Sequence, residues 1–237
     1  YPGQPGKSAG VALIDGRTLG SAKVVEALNG EGFELEASIP WSAFPEAARV
    51  RVGIRVAAQY VDAAAPGRVR KVIGNTAGAS PKEWPPLLTE PEQGLYTGII
   101  RENGLPSLPS RSLLGNVAGD ARLEQVAIYG KYLTIVGAGY REGRQFYFGD
   151  LLIRDASAVE RLELQDFDGD GRAEILITRR IGAEDQYRTV LQVFKIGPDD
   201  APVVALTHEI GVASSRGQVQ NQVKIEPATV GARLVIA

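Results

Sequence analysis

The chain has 237 residues, 44% of them hydrophobic, and a net charge of −2 from 26 basic and 28 acidic side chains. That length allows one large or two small domains with real cores. The balanced charge, with no basic run, carries no nucleic-acid footprint, and no apolar stretch reaches the length of a membrane span. Cysteine is absent, which removes disulfides and thiolate chemistry, and methionine is absent even at position 1. Tyr1 is therefore expected of a processed chain or a piece of a larger parent, with any signal peptide already gone.

Near the start, Gly6-Lys7-Ser8-Ala9-Gly10 fits the Gly-x-Ser-x-Gly pattern of a nucleophile elbow. An elbow must follow a strand and lead into a helix, whereas here the apolar run Gly10–Ile14 comes after it. The Gly-Lys-Ser tripeptide also hints at a phosphate loop, but Tyr1 stands where that loop needs its first glycine. Both matches read as chance. His208, the only histidine, is expected on a surface strand rather than as a base. Acidic pairs are plentiful, but none is singled out for acid/base work of the glycosidase kind, so no catalytic residue is assigned.

Ala22–Leu28 and Phe33–Ile39 are strand-like and flank Asn29-Gly30, a strong hairpin signal. The second run alternates, with Phe33, Leu35, Ala37 and Ile39 on one face, and Pro40 ends it. Val50–Val61 is expected as a longer strand, with Val50, Val52, Ile54 and Val56 on one side. Such a set needs a second sheet over its apolar face, which predicts an all-β chain with a jelly-roll-like β-sandwich in its first half. The phrase Gly32-Phe33-Glu34-Leu35-Glu36-Ala37-Ser38-Ile39-Pro40-Trp41-Ser42-Ala43-Phe44, followed by a strand reaching Asp62, resembles the C-terminal part of a family 9 carbohydrate-binding module. The resemblance covers Val24 to Asp62. It implies sugar binding by aromatic rings stacked on a pyranose, for which Trp84, Trp41 and Tyr60 are the candidates, with Tyr96 behind them. Aromatic faces suit the apolar side of a sugar.

Pro81, Pro85, Pro86, Pro91, Pro106 and Pro109 crowd the stretch from Ser80 to Ser110. Proline at that density breaks strands and stiffens the chain. The expected organisation is a sandwich over 1–102, with Gly94–Arg101 as its last strand, a linker over 103–110, and a second unit over 111–237.

Two loops of one design lie in the second unit. Asn116-Val117-Ala118-Gly119-Asp120-Ala121-Arg122-Leu123-Glu124 is the poorer one, followed by the strand-like Gln125–Tyr129. Its fuller counterpart, Asp166-Phe167-Asp168-Gly169-Asp170-Gly171-Arg172-Ala173-Glu174, places carboxylates at alternate positions, a turn glycine after the third, and Glu174 ninth. A curled loop can aim Asp166, Asp168, Asp170, the Arg172 carbonyl and Glu174 at one centre, a ligand set suited to Ca²⁺. An EF-hand would need a bidentate Glu in the twelfth position, where Ile177 stands. Val159–Leu164 and Ile175–Thr178 both read as strands, so the loop joins two strands. The first copy, with Ala118 and Ala121 in place of Asp and Gly, is expected to be the same unit without metal. The offset from Asn116 to Asp166 falls at the upper end of the roughly 20–50-residue periods of propellers and arrays. A third start is placed near Gln222–Ile225.

The strand, Asp-rich loop and strand resemble FG-GAP or VCBS repeats, which implies propeller-blade-like sheets binding calcium at a blade edge. The family more often carries Asp where Glu174 stands. Residues 111–237 suffice for about two blades where closed rings need about 4–8, so the rest of a larger parent chain is an expected partner. A site lacking the bidentate twelfth ligand implies the modest affinity of extracellular modules, hence a secreted, periplasmic or cell-surface protein. The expected function is a non-catalytic, calcium-stabilised module for glycan recognition or adhesion. The alternatives are a structural or protein-binding part of a cell-envelope assembly and an accessory part of a carbohydrate-active enzyme. The partner is accordingly a polysaccharide or a cell-envelope protein.

Overall fold

A computed structural model describes residues 19–29, 32–57, 59–65, 68–74 and 80–237. The expected strand Gly10–Ile14 and the Gly6–Gly10 motif lie outside them. The chain is all-β, its sheets antiparallel. It separates into two compact units, residues 1–49 and 50–237.

In the first unit, β1 (Lys23–Asn29) and β2 (Gly32–Ser38) pair antiparallel from Lys23↔Ser38 to Asn29↔Gly32, the hairpin expected around Asn29-Gly30. Pro40 ends the pairing and the chain makes two single 3-10 turns, Trp41–Ala43 and Pro45–Ala48. Pro45 opens the second, where a missing N–H costs nothing.

The second unit begins with an irregular stretch in place of the expected Val50–Val61 strand. Val50 makes one parallel bridge to Leu123 and Arg55 one antiparallel bridge to Pro86. Gly53, at φ +77°, turns the chain out of the extended conformation between them. Pairing resumes in β3 (Gln59–Ala65) and β4 (Arg68–Gly74).

The proline-rich stretch differs most from expectation. Thr89 and Glu92 form a capping box, Thr89 N–H donating to Glu92 Oε2 at 2.9 Å, and start a helical segment, Glu90–Gln93, that continues in π geometry over Gly94–Ile100. Gly94–Arg101 is thus not a strand. Leu95 and Ile100 are buried with Ala127, Tyr129 and Val136. This packing ties 90–100 to the sheet that follows. The division between units falls between Arg49 and Val50.

Two meanders make the body of the second unit. The first has the order β5 (Arg111–Gly115), β6 (Glu124–Tyr129), β7 (Tyr132–Gly137), β8 (Phe146–Asp150). The second contains β9 (Val159–Gln165), β10 (Glu174–Gly182), β11 (Tyr187–Ile196), β12 (Pro202–Ser214) and β13 (Gly217–Gln220) in the same sequential fashion. A four-stranded meander is the strand arrangement of a propeller blade. Val126, Ile128, Leu133 and Ile135 of one sheet pack with Leu162, Ile175 and Ile177 of the other. On the opposite face of the second sheet, Leu176, Leu191 and Val193 meet Val223, Ile225, Leu234 and Ile236 of the hairpin β14 (Val223–Pro227) and β15 (Ala232–Ile236). Because β10 is covered on both faces, its start reads as an unbroken apolar run, Ile175-Leu176-Ile177.

Candidate metal centre

The loop between β9 and β10 is curled by its own side chains. Asp166 accepts the N–H groups of Gly169 at 2.6 Å and Gly171 at 3.0 Å. Asp168 accepts from Asp170 N at 3.2 Å, and Asp170 from Arg172 N at 2.8 Å. Glu174, the first residue of β10, accepts the Phe167 N–H at 2.8 Å and closes the loop. Gly169 and Gly171 both sit at positive φ, +76° and +86°, which explains why glycine is needed at each.

This curl brings ligand oxygens of Asp166, Asp168 and Glu174 within 4.8 Å of one another. Asp168 is exposed, Asp166 half-buried, and Glu174 buried. Asp170 stands beside them, its Oδ2 3.2 Å from Lys195 Nζ. Arg172 lies in the loop with its N–H held by Asp170.

Lys195, on β11, was not singled out by the sequence. Its ammonium is hydrogen-bonded to Asp168, reaches Asp170, and lies 3.9 Å from Glu174 Oε1. Its hydrogen bonds to Asp168 and then to Asp170 raise the lysine pKa, and the bond from Lys195 lowers that of Asp168. Burial pushes Glu174 up instead. Nothing in local sequence links position 195 to this loop; the antiparallel register that sets Ile175 against Phe194 does so. Positive charge is thus favoured where the carboxylates converge, and a donor set of carboxylate oxygens alone fits a hard divalent cation. A groove of about 330 Å³ opens beside the loop, walled by Phe167, Val193, Leu206 and Leu234 with Asp168 and Glu174 at its edge.

The poorer loop is built alike. Gly119, fourth in its loop as Gly169 is in the other, has φ +73°. Asp120 accepts the Arg122 N–H at 2.9 Å, as Asp170 accepts that of Arg172. Glu124 Oε2 accepts Val117 N at 3.0 Å and Ala118 N at 3.3 Å, while Oε1 takes Gly139 N at 3.1 Å. Glu124 is fully buried, and burial raises its pKa to about 7 against those three donors. The Asp120 carboxylate is held by its own neighbour, Arg122, which lowers its pKa. Asn116 reaches the other loop: its Nδ2 donates to Gly171 O at 2.7 Å, and its backbone carbonyl accepts Ala173 N at 2.7 Å. The two loops are therefore stitched together.

The aromatic candidates lie in different elements. Trp41 is half-buried in the first unit, at the head of its 3-10 turn. Trp84 is half-buried in the second unit, following the turn Pro81–Glu83, and its carbonyl accepts Arg55 Nη1 at 2.6 Å. Tyr60 lies in β3, and its side chain falls outside the described residues. Tyr96 faces the core and donates to Gln125 Oε1 at 2.6 Å. His208 is exposed on β12, as expected.

The chain matches no family model, and comparison with curated proteins and with solved structures finds no match either. No helix among the described residues is long and apolar enough to cross a membrane.

Proposed function

We propose that this chain is a non-catalytic, exported binding module for glycan recognition or adhesion, stabilised by one Ca²⁺ in the Asp166–Glu174 loop. The convergence of Asp166, Asp168 and Glu174 within 4.8 Å carries the reading. Asp166, Asp168, Asp170, the Arg172 carbonyl and Glu174 would hold the ion, in the manner of an FG-GAP or VCBS repeat. When bound, calcium supplies charge neutralisation and a tie between β9 and β10, and no reaction. Export follows from the modest affinity of such a site.

Thermal unfolding in millimolar calcium against chelator tests the metal. A ligand at one hundred times its Kd stabilises by about 2.7 kcal/mol, which raises the midpoint by several degrees. An unchanged midpoint removes the ion and the argument for export together. For the glycan, polysaccharide binding abolished by Trp84→Ala supports the proposed role, and specific capture of a protein with no polysaccharide bound moves the chain to an envelope assembly.

Lys195 favours a second reading, in which the acidic loop is neutralised internally and serves only as a structural turn. In that case chelator changes nothing, while Lys195→Ala lowers the midpoint equally with and without calcium.

A further inference from the structure

A cavity of about 390 Å³ opens between the segment 152–158 and the β10–β11 hairpin, within the roughly 300–1,000 Å³ of small-ligand sites. Arg180 lines it. Its Nη2 donates to Ser157 O at 2.9 Å, and its guanidinium lies 5.2 Å from the centroid of the Tyr187 ring. Its Nε is buried without a hydrogen-bond partner, the Glu160 carboxylate standing 3.4 Å away in an ion pair.

Arg154 lines the same cavity with its side chain 79% exposed and its nearest carboxylate, Asp155, at 3.8 Å. Asp155 is occupied locally: its Oδ1 accepts Ser157 N at 2.8 Å and Ser157 Oγ at 2.5 Å. Glu184 is the other acid of the lining. Leu152, also in the lining, is 77% exposed and sits at φ +55°, with its N–H bound to Asp150 Oδ1 at 2.7 Å. A non-glycine residue in that region is strained, and strain of this kind gathers at ligand clamps. An exposed leucine held in a strained conformation beside two arginines offers an apolar contact and cationic donors together.

We propose that this cavity binds a small carboxylate whose body is about the size of one six-membered ring. The carboxylate bridges Arg154 and Arg180, since a guanidinium can meet it with two parallel N–H donors. The body rests against Leu152 and Tyr187. The lining shares no residue with the calcium loop or with the aromatic candidates, and the proposal stands or falls without them.

The test is an NMR titration of the whole chain at fixed ionic strength. Sodium glucuronate and sodium benzoate are the carboxylate probes, glucose is the uncharged control, and inorganic phosphate is an oxyanion without a ring. At least one carboxylate is expected to saturate, with amide shifts confined to 152–158 and 180–187. Arg180→Gln and Arg154→Gln each weaken it at least tenfold, and glucose gives no shift. The Arg154→Gln variant changes an exposed side chain, so its folding is not at issue. Failure of both carboxylates to saturate, or binding unchanged in both variants, overturns the site. Phosphate binding as tightly as the better carboxylate overturns the role of the ring-sized body.

Discussion

In both Asn116–Glu124 and Asp166–Glu174 the fourth residue is a glycine at positive φ, and the ninth is a glutamate that accepts the N–H of the second. The chain thus makes one turn twice. What differs is where the negative charge ends. Glu124 is buried under three backbone donors, Asp120 is clasped by Arg122, and no further acid faces them in that loop. In the second loop Asp166, Asp168 and Glu174 share a centre, and the ammonium that pairs with Asp168 and Glu174, that of Lys195, comes from another strand. In the first copy the turn is held by backbone donors to Glu124 and by the Asp120–Arg122 pair. A cation in the second copy would add stability to a turn already made.

The largest test of that contrast removes the ninth-position glutamates. Glu124→Ala leaves three buried N–H groups without an acceptor, at about 1–3 kcal/mol each, so urea unfolding is expected to lose about 3 kcal/mol or more. Glu174→Ala in chelator orphans one N–H, that of Phe167, and is expected to lose about 1 kcal/mol. Equal losses would mean that the two carboxylates play one role and that the contrast is false.

Next comes the metal arm. Asp168→Ala is expected to abolish a calcium-dependent rise in midpoint of several degrees, whereas Asp120→Ala leaves that rise intact because Asp120 is already paired with Arg122. A calcium-linked effect of Asp120 would show that both loops bind metal.

The pH dependence bears on the ninth-position glutamates, both of which burial raises, Glu124 to about 7. Burial raises the Glu124 pKa to about 7 from an ordinary 4.5, so between those values the folded chain binds more protons than the unfolded one. Stability is then highest below the unfolded value and falls as pH rises through the folded one, by up to about 1.4 kcal/mol per pH unit. The charged groups beside Glu124 are Asp120 and Arg122. Asp120, lowered by Arg122, acts with the opposite sign and in more acid solution. Denaturation midpoints of wild type and Glu124→Gln from pH 4.5 to 7.5 check this, and parallel curves would remove Glu124 as the source.

The strands around both loops were legible because their patterns are local. Val159–Leu164 alternates, Ile175–Thr178 is apolar and β-branched, and Gly119 and Gly169 occupy the same place in each loop. The segment after Pro91 was not legible as a helix, since the nearby prolines read as breakers. Pro91 in fact lies in the first turn of the helical segment, where it is tolerated, and Thr89-x-x-Glu92 is a capping box that strand reasoning passes over. Val50–Val61 alternated convincingly, but Gly53 interrupts it, and a single glycine outweighs the pattern when its φ is positive. Lys195, Asn116 and the Arg180 cavity were beyond reach for another reason. Each acts across strand pairings or between loops, and such register is fixed by tertiary packing rather than by local sequence.

Lys195 gives the smallest and sharpest prediction. Its ammonium touches the same carboxylates that would ligate calcium, so the two cations compete. Exposed ion pairs are weak, and displacing this one should lower calcium affinity by no more than about fivefold. Lys195→Gln is therefore expected to tighten calcium binding by up to that factor in a calorimetric titration. It should also lower the midpoint slightly in chelator, where the carboxylates lose their ion pairs with Lys195. Weaker calcium binding in Lys195→Gln would mean that the lysine orients the carboxylates rather than competing for them, and the loop would then owe its shape to β11 as well as to its own backbone.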